Sequence, residues 1–208
     1  MKPHDLSALG AAFSNEALGG QAVFRAALQA LSHPGRCVGV AHDAQVPTCG
    51  NPASAALLLA LLDADCTLWL SPSLVHSDAA AWLHFHTGCS LVNDAAQAQF
   101  VWVAAGDAMP PLSSVAQGSD ACPDQSATCV LDVLSLNAGG HEVTAWTLKG
   151  PGINRTIELK TEGLVSDFQA QWAANHACFP RGVDVFLGAH QQVVGLPRST
   201  SIELTRGL

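Results

Sequence analysis

Two histidines stand at H-x-H spacing in Leu83-His84-Phe85-His86-Thr87-Gly88. On a strand both rings would face one side and share a metal ion; on a helix they diverge by about 200°. The surrounding pattern is helical, so a capping or packing pair is the reading preferred over a metal site. Gly150-Pro151-Gly152-Ile153 is a second candidate. Glycine-rich turns can aim backbone N–H groups at a phosphate, but this one lacks the Lys-Ser/Thr ending of a P-loop and the spacing of a dinucleotide fingerprint. A plain structural turn is the favoured alternative. The remaining candidates are Arg181, beside Gly182, and Arg198 in Pro197-Arg198-Ser199-Thr200. A guanidinium fork suits bidentate contact with phosphate or carboxylate, and the neighbouring glycine, proline and hydroxyls (Ser199, Thr200) could complete an anion site. The competing reading pairs each arginine with an internal acid, and Asp184 offers Arg181 a ready partner. These two readings stand even.

Other chemistry is not signalled. There is no G-x-S-x-G elbow, no H-E-x-x-H and no C-x-x-x-C-x-x-C. The lysines are Lys2, Lys149 and Lys160, and there is no tyrosine. No catalytic residue, metal or cofactor is therefore assigned. Seven cysteines include no C-x-x-C pair, which speaks against a zinc ribbon or a thioredoxin-like site. Reduced thiols in a cytoplasmic protein are expected, with Cys66 and Cys129 acting as small hydrophobes within apolar runs.

The elements that must position these groups follow from periodicity. Phe24, Ala27, Leu28 and Leu31 recur at helical spacing and are expected to form the buried face of a helix that stops at Ser32-His33-Pro34-Gly35. Asn51-Pro52 marks the start of a buried helix over Ala53–Leu62. A further helix is expected over Asp78–His86, and another where Leu164, Val165, Phe168 and Trp172 share a face. Strands are expected at Arg36–Ala41, Cys66–Leu70, Gln99–Ala104, Thr128–Leu134, Glu142–Leu148, Arg155–Leu159, Val183–Leu187, Gln192–Gly195 and Ser199–Leu204. The pair around Asn137-Ala138-Gly139-Gly140 reads as a hairpin. Residues 105–127 form a long connection with one helical turn. Helices dominate the first half and strands the second, so the fold class is α/β, a mixed β-sheet flanked by helices. Residues 1–20 read as a partly ordered arm and residues 21–208 as one domain.

Of the 208 residues, 49% are hydrophobic and 12% charged, with a net charge of −8. Nucleic acid and anionic membrane are excluded as natural partners, because both call for a cationic surface. The longest apolar run, around Ala55–Leu62, is too short to span a bilayer. Residues 1–148 hold three cations against twelve acids, and residues 149–208 hold six against five. An anion site is thus expected in the last part of the chain. So apolar a composition also points to surface covered by a partner, and an apolar homodimer interface is expected.

Five segments, in this order, resemble the PhnH family. They are Phe24–Leu28 leading to Leu31–Gly35, then Leu83–Gly88, Leu148–Ile153, Phe179–Asp184 and Gly195–Thr200. The resemblance implies a subunit of the carbon–phosphorus lyase core complex, working with the G, I, J and K subunits. That assembly joins methylphosphonate to the ribose of ATP, displacing adenine, before a separate radical subunit breaks the carbon–phosphorus bond. It further implies a homodimer, and a fold similar to the large domain of pyridoxal-phosphate-dependent transferases without the cofactor. Lys149 has no neighbour that reads as a pyridinium-binding acid, which fits a cofactor-free scaffold. The alternative function is a free-standing transferase acting on a phosphorylated metabolite.

Overall fold

The computed structural model describes residues 9–137 and 144–205. In chain order they form α1 (Glu16–Ser32), β1 (Val38–Gly39), α2 (Pro52–Leu61), β2 (Thr67–Leu70), α3 (Pro72–Val75), α4 (Ala79–Thr87), β3 (Ser90–Leu91), β4 (Phe100–Val103), β5 (Thr128–Asp132), β6 (Ser135–Leu136), β7 (Thr144–Lys149), β8 (Ile157–Glu162), α5 (Phe168–Ala177), β9 (Asp184–Ala189), β10 (Gln192–Leu196) and β11 (Ser201–Leu204). Short 3-10 turns at Leu112–Ser114 and Pro123–Gln125 interrupt the long connection before β5.

Seven strands make one mixed sheet in the order β1-β10-β9-β5-β4-β2-β3. The run from β9 to β3 is parallel, and β10 and β1 add antiparallel partners. Alternation places its side chains. In β4, Phe100 and Trp102 enter one apolar cluster while Val101 and Val103 enter the other, as a period of two requires. The first cluster lies under α1, α2 and α4; the second lies between the sheet, α5 and the remaining strands. With both faces covered, the central strands read as continuous apolar runs. This is the expected α/β architecture.

Three expectations need correction. The strands β5 and β7 do not form a hairpin: β5 pairs with β4 and β9, whereas β7 pairs with β8 and β11 in a separate four-stranded antiparallel sheet, β11-β7-β8-β6. Residues 138–143 of the supposed turn lie outside the described ones. The first helix begins at Glu16, where Asn15 caps the N–H of Leu18, so it runs through Gly19 and Gly20 into the expected arm; residues 1–8 lie outside the described ones. Its buried face is also not the expected one. Val23, Ala26, Ala27 and Ala30 face inward, while Phe24 and Leu28 are 46% and 52% exposed. The reason is close approach: α1 lies so near β10 that a Cβ on Gly195 would stand 2.6 Å from the backbone of Ala30. Only small side chains fit that contact, and the bulky ones turn outward.

Candidate functional site

Arg198 sits where β10 has ended and the chain turns toward β11. Its Nε donates to Asp184 Oδ1 at 3.1 Å and its Nη2 to Asp184 Oδ2 at 2.6 Å. Nη1 donates to the Pro123 carbonyl at 2.7 Å, and Nη2 also donates to Ser126 Oγ at 2.6 Å. Four of a guanidinium's five N–H donors are thus engaged inside the molecule. The side chains of Arg198 and Asp184 are 13% and 24% exposed. The backbone joins in: the Arg198 N–H donates to Asp184 Oδ1, and His176 Nδ1 donates to the Arg198 carbonyl. This knot ties the start of β9, the end of β10, α5 and the Pro123 turn together. The anion-binding expectation for Arg198 gives way to a structural one, because the fork is already filled by a carboxylate.

Arg181 is a different case. Its partner is Asp120, at 3.2 Å, and not Asp184, and the two side chains are 49% and 82% exposed. Such an exposed pair contributes little to stability. Ser199 lines an open, shallow cleft with Phe179, Pro180, Pro197 and Arg198. Thr200 is fully buried, its carbonyl accepting from Trp172 Nε1 at 2.8 Å. Its hydroxyl is out of reach of any solvent-borne anion.

The glycines of the Gly150-Pro151-Gly152 turn serve packing. Gly152 has φ +81°, and a side chain there would overlap the Ser32 carbonyl at the end of α1; one on Gly150 would stand 3.0 Å from the Ser199 carbonyl. The turn therefore wedges between α1 and the turn leading into β11. His84 and His86 lie on α4 and point apart, the helical reading. His84 Nδ1 donates to the Cys89 carbonyl at 2.8 Å, closing the helix end. His86 Nε2 donates to the Gly10 carbonyl at 2.9 Å, which also accepts from Trp82 Nε1. These contacts fasten the segment before α1 onto α4. Among the described residues no three His, Cys, Asp or Glu side chains gather into a group that could hold a metal ion.

The best-defined buried polar group was missed by motif reasoning. Asp132 ends β5 at the carboxyl edge of the parallel strands, the edge where open α/β sheets place ligands. It is 5% exposed and accepts from the Asn51 N–H at 2.8 Å and from Trp102 Nε1 at 3.1 Å. Burial pushes its carboxyl up to about 6, against the opposing effect of those hydrogen bonds. The one legible signal was a lone carboxylate within the apolar run Thr128–Leu134. Both oxygens are engaged, so Asp132 secures the N-terminus of α2 to the sheet; the fully buried Ser54 hydroxyl of α2 stands beside it, and no cation is among these contacts. The described lysines, Lys149 and Lys160, lie on the other sheet, paired with Glu203 and Glu158. Several bulky apolar side chains nonetheless remain outside: Leu18, Phe24 and Leu28 on α1, and Val75, Phe85 and Leu91 around α4 and β3.

The family model for the bacterial phosphonate metabolism protein (PhnH) matches residues 11–203. The chain is 36% identical over 192 residues to the alpha-D-ribose 1-methylphosphonate 5-triphosphate synthase subunit PhnH of Rhizobium meliloti (strain 1021), covering 92% of this chain and 94% of that one. It is 30% identical over 187 residues to the putative C-P lyase subunit protein HtxG of Stutzerimonas stutzeri, covering 88% and 86%.

Proposed function

The chain belongs to the PhnH family of bacterial phosphonate metabolism proteins, and from that membership we propose that it is a non-catalytic subunit of a phosphonate-processing complex. Its relatives are named as subunits of alpha-D-ribose 1-methylphosphonate 5-triphosphate synthase and of a C-P lyase. The activity it supports is the conversion of methylphosphonate and ATP to alpha-D-ribose 1-methylphosphonate 5-triphosphate, ahead of carbon–phosphorus cleavage. Its partners in this reading are the G, I, J and K subunits, in the cytoplasm.

The observation that carries the non-catalytic role is the contrast between polar groups already engaged within the molecule and apolar groups left to solvent. Arg198, Asp132, His84 and His86 are all held by internal partners, while Phe24, Leu28, Phe85 and Leu91 are left to solvent. Exposed apolar groups that gather into one patch mark a surface that another chain covers. Phe24 and Leu28 lie one helical turn apart on the outer side of α1, and we assign the homodimer contact to that side. The seven-stranded mixed sheet between two packed layers is compatible with kinship to the large domain of pyridoxal-phosphate-dependent transferases. The lack of a lysine near Asp132 in the contacts described fits a cofactor-free version of that fold. A free-standing transferase would need an accessible reacting group, and none of the candidates supplies one. Tagged protein expressed with the other subunits is expected to bring them down in fixed proportion. Recovery of this chain by itself, with the partners in the flow-through, would refute the reading.

A further inference from the structure

The outermost strand of the large sheet is left open. Within the described residues β3 pairs with β2 alone, Ser90 N–H donating to the Cys66 carbonyl and Val92 N–H to the Leu68 carbonyl. In a parallel ladder the residue between points its backbone groups the other way, so the N–H and carbonyl of Leu91 face the free edge. Apart from its shortness and the charge of Asp94, the edge lacks the usual protection: Gly88–Asp94 holds no lysine and no proline. Beside it runs an apolar groove of about 270 Å³, floored by Leu68 and Leu70 and walled by Val75, Ala81, Leu91 and Val92. Val75 and Leu91 remain 52% and 42% exposed.

Charge narrows the choice of occupant. Residues 37–148 contain no lysine or arginine at all. Asp63 and Asp65, before β2, and Asp94, after β3, are exposed. Gly88 lies against Ala64, which brings the Asp63–Asp65 turn beside the start of the open strand. Acids therefore flank the apolar groove at both ends. A second copy fits badly, because a twofold contact would set these acids against each other with no cation between.

We propose that this edge receives an extended segment of another subunit of the complex as an added strand. The segment is apolar at alternate positions, whose side chains fill the groove, and carries lysine or arginine near its ends. Main-chain hydrogen bonds to Leu91 set its position and the groove selects its side chains, as in strand addition generally. The inference rests on the complex-subunit reading above and adds to it the surface and the chemistry of the partner.

Two measurements test it on the intact protein. Hydrogen exchange at the Leu91 amide is followed in the isolated chain and in the assembled complex; slowing by roughly tenfold or more on assembly is expected. Binding to the other subunits is then titrated for Leu91→Pro, which removes the outward N–H that β2 does not use, and for Val75→Glu, which charges the groove. Both are expected to bind roughly tenfold or more weakly with melting temperatures unchanged, while Leu204→Glu, at an exposed position of the other sheet, binds as wild type. Unchanged exchange at Leu91 in a complex that forms normally would overturn the inference and leave the subunit reading standing. Failure of the wild-type chain to enter the complex would remove both. Conversion of a dimer to monomers by Val75→Glu would make the occupant a second copy and equally overturn it.

Discussion

Replacing Arg198 by alanine separates a structural knot from an anion site. The substitution removes four side-chain hydrogen bonds and leaves Asp184, 24% exposed, with the Arg198 backbone N–H as its remaining donor among them. Breaking a fully buried pair costs about 3–5 kcal/mol, and an exposed one about 0–1 kcal/mol. At this partial burial the lower end of the buried range applies, about 3 kcal/mol. For a chain of this length, about 2–4 °C of melting temperature accompanies each kcal/mol, so a fall of roughly 6–12 °C is expected. Arg198→Lys should recover little of it, because a point charge cannot serve Asp184, Pro123 and Ser126 together. The assay is thermal unfolding of the purified variants, with Asp184→Asn and the double variant completing a cycle. A coupling energy near zero, with unchanged melting and lost growth on methylphosphonate, would refute the structural assignment and restore the anion site.

Further outcomes follow from other positions. Asp132 is held above its ordinary value of 3.8, at about 6, by burial, so its stabilising effect is full below about pH 4 and lost as pH rises through about 6. The shift is worth about 3 kcal/mol, and urea titrations from about pH 4 to 7 should show wild type losing that much relative to Asp132→Asn as pH rises; parallel curves would contradict it. Gly152→Ala, strained by its positive φ and by overlap with the Ser32 carbonyl, should cost about 3 kcal/mol in the same measurement; a neutral effect would show that the turn can move away from α1. Phe24→Glu with Leu28→Glu should convert a dimer into monomers in light scattering, and an unchanged mass would move the dimer contact off α1.

What the sequence disclosed depended on whether local rules acted alone. The helix starting at Asn51-Pro52 was legible because its cap and proline act within one turn, and Asn51 Oδ1 does accept from the Ala53 N–H. The turn at Gly150–Gly152 was legible for the same reason. The buried face of α1 was not: side-chain type favours Phe24 and Leu28 inside, and the deciding fact is Gly195, more than 160 residues away in the chain. The hairpin failed similarly, since adjacent strands joined by a glycine turn usually pair, yet β5 is claimed on both sides by β4 and β9. Of the candidate site, the arginines were found but their partners were not. Asp184 belongs to Arg198 and Asp120 to Arg181, a matter of strand register that no spacing in the sequence announces.

The most direct test of the central claim is reconstitution of the synthase from purified subunits, with this chain present or withheld. Phosphorus NMR follows conversion of methylphosphonate and ATP to alpha-D-ribose 1-methylphosphonate 5-triphosphate. No conversion is expected from this chain alone, and the full set is expected to give product at a rate that falls when the chain is left out. Turnover by the isolated chain, or an undiminished rate in its absence, would contradict the central claim.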